Sequence, residues 1–120
     1  MPPQFQQNKP IYLQVMDQLI QEIVSRQRKP GEKLPSVREL AIATSVNPNT
    51  IQRVYRELEQ RHITETKRGQ GTFVTEDRAL ITTIREELKQ QYVNDFVHDM
   101  EALGFSKQEI IASIQEGETK

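Results

Sequence analysis

Two short amphipathic helices separated by almost no chain constrain this sequence more than any other feature. In LPSVRELAIATSVNPNTIQRVYRELEQ, residues 34–60, Val37, Leu40 and Ala41 recur at helical steps, and so do Ile51, Val54, Tyr55 and Leu58. Ser36 and Glu39 stand at capping-box spacing where the first helix starts. Asn47 is a good N-cap for the second, and Pro48 suits a first helical position, where a backbone N–H would go unused anyway. Only Thr44-Ser45-Val46 is left for the connection. Two helices joined so tightly, the second longer and opening on small polar residues, form a helix-turn-helix.

The flanking chain completes a small domain. From Pro10, Ile11, Val15, Leu19 and Ile23 interleave with Met16, Ile20 and Val24 on a helix predicted to stop near Arg28, because Lys29-Pro30-Gly31 cannot continue it. After the helix-turn-helix, Ile63–Lys67 and Thr72–Thr75 have strand-forming residues around Arg68-Gly69-Gln70-Gly71, where two glycines permit a tight reversal. A hairpin in that place is a wing. A long helix is predicted from Asp77 to about Ala102, with Ile81, Ile84, Leu88, Tyr92, Phe96, Met100 and Leu103 as its apolar stripe and Leu80, Val93 and Val97 widening it. Gly104 is a natural C-cap with Phe105 behind it. Ser106 and Glu109 then open a last helix with a second capping box, and Ile110, Ile111 and Ile114 dock it. From Gly117 onward the chain is expected to fray.

The fold class is therefore α+β and mostly helical. Residues 1–9 read as a polar arm, 10–75 as a winged helix-turn-helix, and 76–120 as a helical dimerisation region. Charge follows the same division. Net charge is −1 over the chain, but residues 1–76 carry +3 and residues 77–120 carry −4. A basic working module with an acidic extension fits that asymmetry. No cysteine is present, which excludes disulfides and thiolate metal sites. No stretch approaches the ~20 apolar residues of a membrane span, and MPPQFQQNKP lacks a signal-peptide pattern, so a cytoplasmic protein is expected.

At about 100° per residue, Asn49, Gln52, Arg53, Arg56 and Gln60 lie opposite the apolar face of the third helix, with Glu57 and Glu59 on the flanks. An ordinary solvated face mixes both charge signs, whereas this one holds only amides and cations. Amides can read the donor–acceptor edge of adenine, and arginine can pair with guanine or phosphate. At the wing tip, Lys67 and Arg68 supply charge, Gln70 an amide, and Gly69 and Gly71 let backbone approach a phosphate closely. A merely flexible turn would account for either glycine alone, but not for helix face and wing tip together. Arg38, at the start of the second helix, could meet a phosphate; a surface ion pair is the plainer account of it.

Other chemistries find little support. Asp95, His98 and Asp99 sit near one another on a helix, yet beside Phe96 and Val97 they make a poor metal site, and no metal or cofactor is expected. Neither histidine stands in a nucleophile motif, and Gly69-Gln70-Gly71 is too short for a nucleotide loop, so catalysis is not expected. Two classes remain: a DNA-binding regulator, or a winged helix that binds other proteins.

LPSVRELA, VNPNTIQRVYRELE and RGQGTFV, spread over residues 10–75, together resemble the GntR family of bacterial transcription regulators. The short tail with LGFSKQEI is similar to that of its YtrA subfamily, in which about two dimerisation helices replace a large effector domain. The resemblance implies a homodimer that represses transcription from a palindromic operator in double-stranded DNA, and it extends to control of a transporter operon. It implicates Arg38, Asn49, Thr50, Gln52, Arg53 and the Gly69–Gly71 wing tip in DNA contact, and assigns no small-molecule effector. The dimer would use Ile84, Leu88, Tyr92, Phe96, Met100, Ile110 and Ile114. This chain departs from the family pattern at His62, where glycine is usual, and at Pro48-Asn49, where many members carry arginine.

Overall fold

The computed structural model describes residues 8–118, and the chain divides into two compact units, one running to Thr83 and one beginning at Ile84. Its elements are α1 (Ile11–Val24), α2 (Val37–Thr44), α3 (Pro48–Gln60), β1 (Thr64–Lys67), β2 (Gly71–Val74), α4 (Arg78–Ala102) and α5 (Lys107–Glu118). The arm expected over residues 1–9 lies outside the described residues apart from Asn8 and Lys9. Lys9 pairs with Asp17 and accepts a 2.7 Å hydrogen bond from the Gln14 amide at its carbonyl.

In the first unit α1 buries Val15, Met16, Leu19, Ile20 and Ile23, the residues its periodicity selects. It ends at Val24, earlier than the predicted stop near Arg28. Arg26 turns left-handed at φ 69°, and the Arg28 amide folds back to the Glu22 carbonyl at 2.9 Å, so the helix closes before Pro30 is reached. The capping box of α2 forms as its sequence predicts: the Glu39 amide donates to Ser36 Oγ at 3.1 Å and the Ser36 amide to Glu39 Oε1 at 2.9 Å. The Ser36 amide, with its hydroxyl, holds the Glu39 carboxyl below the usual range. The core face of α2 is Leu40, Ala41 and Thr44, while Val37, expected in the core, is only half-buried. Thr44 tolerates burial because its hydroxyl donates to the Leu40 carbonyl at 2.7 Å.

Helix α3 is the hub, packed against α1, α2 and β1. Ile51, Val54 and Leu58 are fully buried and Tyr55 nearly so, matching all four predicted positions. Burial of each such side chain contributes roughly 1.5–3 kcal/mol. Tyr55 keeps its hydroxyl satisfied by donating to the Pro35 carbonyl at 2.6 Å, and burial pushes its pKa up to about 12. This bond ties the α2 entry to the middle of α3.

The wing pairs β1 with β2 antiparallel, Thr64 opposite Val74 and Lys67 opposite Gly71. Sequence periodicity predicts only a break between α1 and α2. There, however, the chain lies along β2 as a third extended segment. Gly31 donates to the Val74 carbonyl at 2.9 Å, Val74 to Glu32 at 2.8 Å, and Leu34 to Thr72 at 2.8 Å, with Lys33 bridged to Phe73. The wing is thus anchored along its β2 edge by the chain that precedes α2.

Helix α4 begins in the first unit, with Asp77 capping the Leu80 amide at 3.0 Å and Ile81 fully buried. In the second unit it ends at Ala102, and Gly104 beyond it adopts φ 96° as the Phe105 amide reaches back to the Met100 carbonyl at 3.2 Å. The second capping box also forms, Ser106 to Glu109 Oε1 at 3.1 Å and Glu109 to Ser106 Oγ at 3.2 Å. Helix α5 runs through Gly117 to Glu118, past the expected fraying point; residues 119 and 120 lie outside the described residues. Ile110, grouped by the sequence with the dimer-forming residues, is instead turned inward at 3% exposure. Its neighbour Ile111, together with Ile114, faces out at more than half exposure.

Candidate nucleic-acid interface

The outward face of α3 is built by its own start. Asn47 Oδ1 accepts the Asn49 amide at 2.8 Å, and Pro48 fills the first helical position, so the first turn needs no other protein group to cap it. Asn49, Gln52, Arg53, Arg56 and Gln60 are exposed, and Thr50 is half-exposed. Both flanking acids are held internally. Glu57 takes Arg53 Nε at 3.4 Å, and Glu59 accepts the Thr66 amide of β1 at 3.3 Å. A face of amides and cations remains, with its negative neighbours engaged by protein donors.

Arg53 is more tightly placed than helix periodicity suggests. Its guanidinium lies over the Tyr12 ring, 3.6 Å from the centroid, a contact worth about 0.5–1 kcal/mol at an exposed site. Among the described residues its terminal nitrogens donate no hydrogen bond, so the four N–H donors of those two nitrogens stay available in the plane of the group. Ile11 and Tyr12 of α1 join Asn49, Thr50 and Arg53 around a shallow recess of about 350 Å³. Tyr12 carried no sequence signal for this role, since its spacing on α1 says nothing of which α3 residue it will meet.

At the wing tip Gln70 donates to the Lys67 carbonyl at 2.9 Å, closing a turn with Gly69 at φ 77° in the position that type II turns reserve for glycine. Gly71 follows at φ 118°. Arg68 and Gln70 are exposed, and Lys67 Nζ stands 4.7 Å from the centre of the Phe73 ring. Arg38 is exposed on the first turn of α2. Among the described residues neither Arg38, Arg56, Lys67 nor Arg68 forms an ion pair, so the surface pairing open to Arg38 does not occur. Nor do three or more His, Asp or Glu side chains gather where they could hold a metal ion. None of the described helices is long and apolar enough to cross a membrane.

The sequence profile of the bacterial regulatory proteins of the gntR family matches residues 11–74, from the first residue of α1 to the last of β2. The chain belongs to the GntR family. It is 48% identical over 112 residues to the HTH-type transcriptional regulator YhcF of Bacillus subtilis, covering 93% of each chain. It is also 43% identical over 91 residues to the HTH-type transcriptional repressor YtrA of the same organism, covering 71% of this chain and 70% of that one. A GntR family transcriptional regulator from Listeria monocytogenes has the same fold, with a TM-score of 0.88 at 42% identity over 93% of this chain and 98% of its own. This GntR protein is accordingly a DNA-binding transcription regulator of the YtrA-like kind, built on a winged helix. The competing view of the winged helix as only a protein-binding module loses its ground.

Proposed function

We propose that this regulator is a repressor that reads a palindromic operator as a homodimer, with α3 in the major groove and the wing against neighbouring phosphates. The outward face of α3 carries the proposal: amides and cations point out while Glu57 and Glu59 are held by Arg53 and the Thr66 amide. Asn49, Thr50 and Gln52 are then the base-reading candidates. Arg53, Arg56, Arg38, Lys67 and Arg68, with the Gly69-Gln70-Gly71 backbone, would hold the DNA backbone. Repression is the activity in the name of YtrA, and resemblance to that group extends the proposal to a transporter operon. Residues 10–75 would bind DNA and residues 76–120 would pair two copies.

Pairing is supported by what the second unit leaves uncovered. Tyr92, Val93, Phe96, Leu103, Phe105, Ile111 and Ile114 are all at least 43% exposed, whereas Ile110 is its one buried apolar side chain among the described residues. So much apolar surface marks an interaction site. The stripe also winds. Ile84, Leu88, Tyr92, Phe96 and Met100 each lie four residues apart, and each such step rotates about 40° around a helix of ~100° per residue. A partner helix that curves with the stripe covers it better than a flat surface, and a second copy offers the same winding. Two copies would also supply the matched half-site readers that a palindrome needs.

Salt-dependent binding to duplex DNA tests the proposal, with an operator selected from a randomised pool. Gln52→Ala is expected to relax preference at one base position by about 1–3 kcal/mol in competition binding. Unchanged preference would remove Gln52 from the reading set, and no measurable binding at low ionic strength would sink the whole arrangement.

A further inference from the structure

We propose that Lys33, which lies outside both the helix-turn-helix and the hairpin in sequence, is a phosphate-binding residue of the wing. Backbone pairing puts it there. With Leu34 donating to Thr72 and Val74 to Glu32, Lys33 bridges Phe73 across the edge of β2. Residues directly opposite in a ladder point to the same side, so Lys33 shares a face with Phe73 and, beyond it, with Glu65 of β1. Lys67 lies on that face as well, with its ammonium over the Phe73 ring. Two lysines therefore share that face of the wing.

The packing of Gly71 gives the second observation. A Cβ built on Gly71 would stand 2.9 Å from Lys33 Cε and 3.6 Å from its Nζ. The stem of Lys33 thus lies across the bare backbone of Gly71, at the foot of the wing tip, where a β-carbon would make the lysine shift. The open approach that Gly71 offers is taken, on this side, by a lysine of the same chain. Lys33 is exposed, and among the described residues it forms no ion pair. The Ser36 amide and hydroxyl act on the Glu39 carboxyl more strongly than the charge of Lys33, which is the smallest of the causes that lower it. Glu65 shares the face without pairing to either lysine. An exposed ammonium beside a wing turn, in no ion pair among the described residues, suits a DNA phosphate.

This inference rests on the wing touching DNA, and the experiment separates the two. Binding of the full chain to a mixed-sequence duplex is titrated against salt for wild type, Lys33→Met, Lys33→Arg and Arg68→Ala. Methionine keeps an unbranched stem against Gly71 and removes the charge. Each phosphate contact adds about 0.9 to the slope of log K against log salt, so Lys33→Met is expected to lower the slope by about 0.9 and to weaken binding about eightfold at 0.1 M relative to 1 M salt. Lys33→Arg is expected to restore both. A wild-type slope in Lys33→Met while Arg68→Ala is flattened would overturn the role of Lys33 and leave the wing in place, reducing the lysine to a stem that covers Gly71. Wild-type slopes in both would overturn the wing contact and the Lys33 proposal with it.

Discussion

His62→Gly is expected to make this protein more stable without weakening its grip on DNA. His62 closes α3 with φ 62°, a left-handed conformation in which a β-carbon crowds the following carbonyl. The surrounding bonds are backbone only: His62 donates to the Glu59 carbonyl at 2.9 Å and Ile63 to Leu58 at 3.0 Å. The side chain is exposed, so removing it empties no core volume. Relieving the left-handed strain is worth about 1–2 kcal/mol, and the extra freedom of glycine in the unfolded chain takes back roughly 0.5–1 kcal/mol. A net gain of about 0.5–1 kcal/mol remains. With about 2.1 cal/mol/K of unfolding entropy per residue over 120 residues, Tm should rise by about 2–4 °C. Thermal unfolding followed by far-UV circular dichroism, at one protein concentration for all variants, measures it. His62→Ala keeps the β-carbon and is expected to bring no gain. An equal rise in both variants, or a fall in His62→Gly, would refute strain as the explanation. Lost DNA affinity in His62→Gly at unchanged Tm would give the imidazole a role that the backbone geometry does not supply.

Thr64 is 1% exposed and its hydroxyl has no hydrogen-bond partner among the described residues, so the near-isosteric Thr64→Val should be neutral or stabilising by up to about 1–2 kcal/mol. A loss of more than about 1 kcal/mol in denaturant unfolding would mean that the hydroxyl is satisfied after all. Leu88→Asp places a charge on the winding stripe of α4 and is expected to yield monomers by sedimentation; a variant that stays dimeric moves the interface elsewhere.

Local signals in the sequence carry through to the structure because their physics is local. Both capping boxes, the Asn47-Pro48 start of α3, its four buried residues and the glycine-bearing wing turn each depend on groups a few positions apart. The same locality explains two misses. Ser45 and Arg26 adopt left-handed conformations at helix ends without being glycine, and the second of these closed α1 before the proline signal applied. At Ile110, periodicity alone could not tell which of two adjacent isoleucines would turn inward.

The order of helices and wing, the face of α3 that meets solvent and the family itself were therefore determined by the sequence alone. What surrounds that face was decided by tertiary structure. Tyr12 comes under Arg53 from about forty residues away because α1 packs on α3, and Lys33 reaches Gly71 because the chain before α2 pairs with β2. Neither contact leaves a periodicity, a cap or a turn in the sequence, since each is set by where two distant backbones happen to be brought side by side.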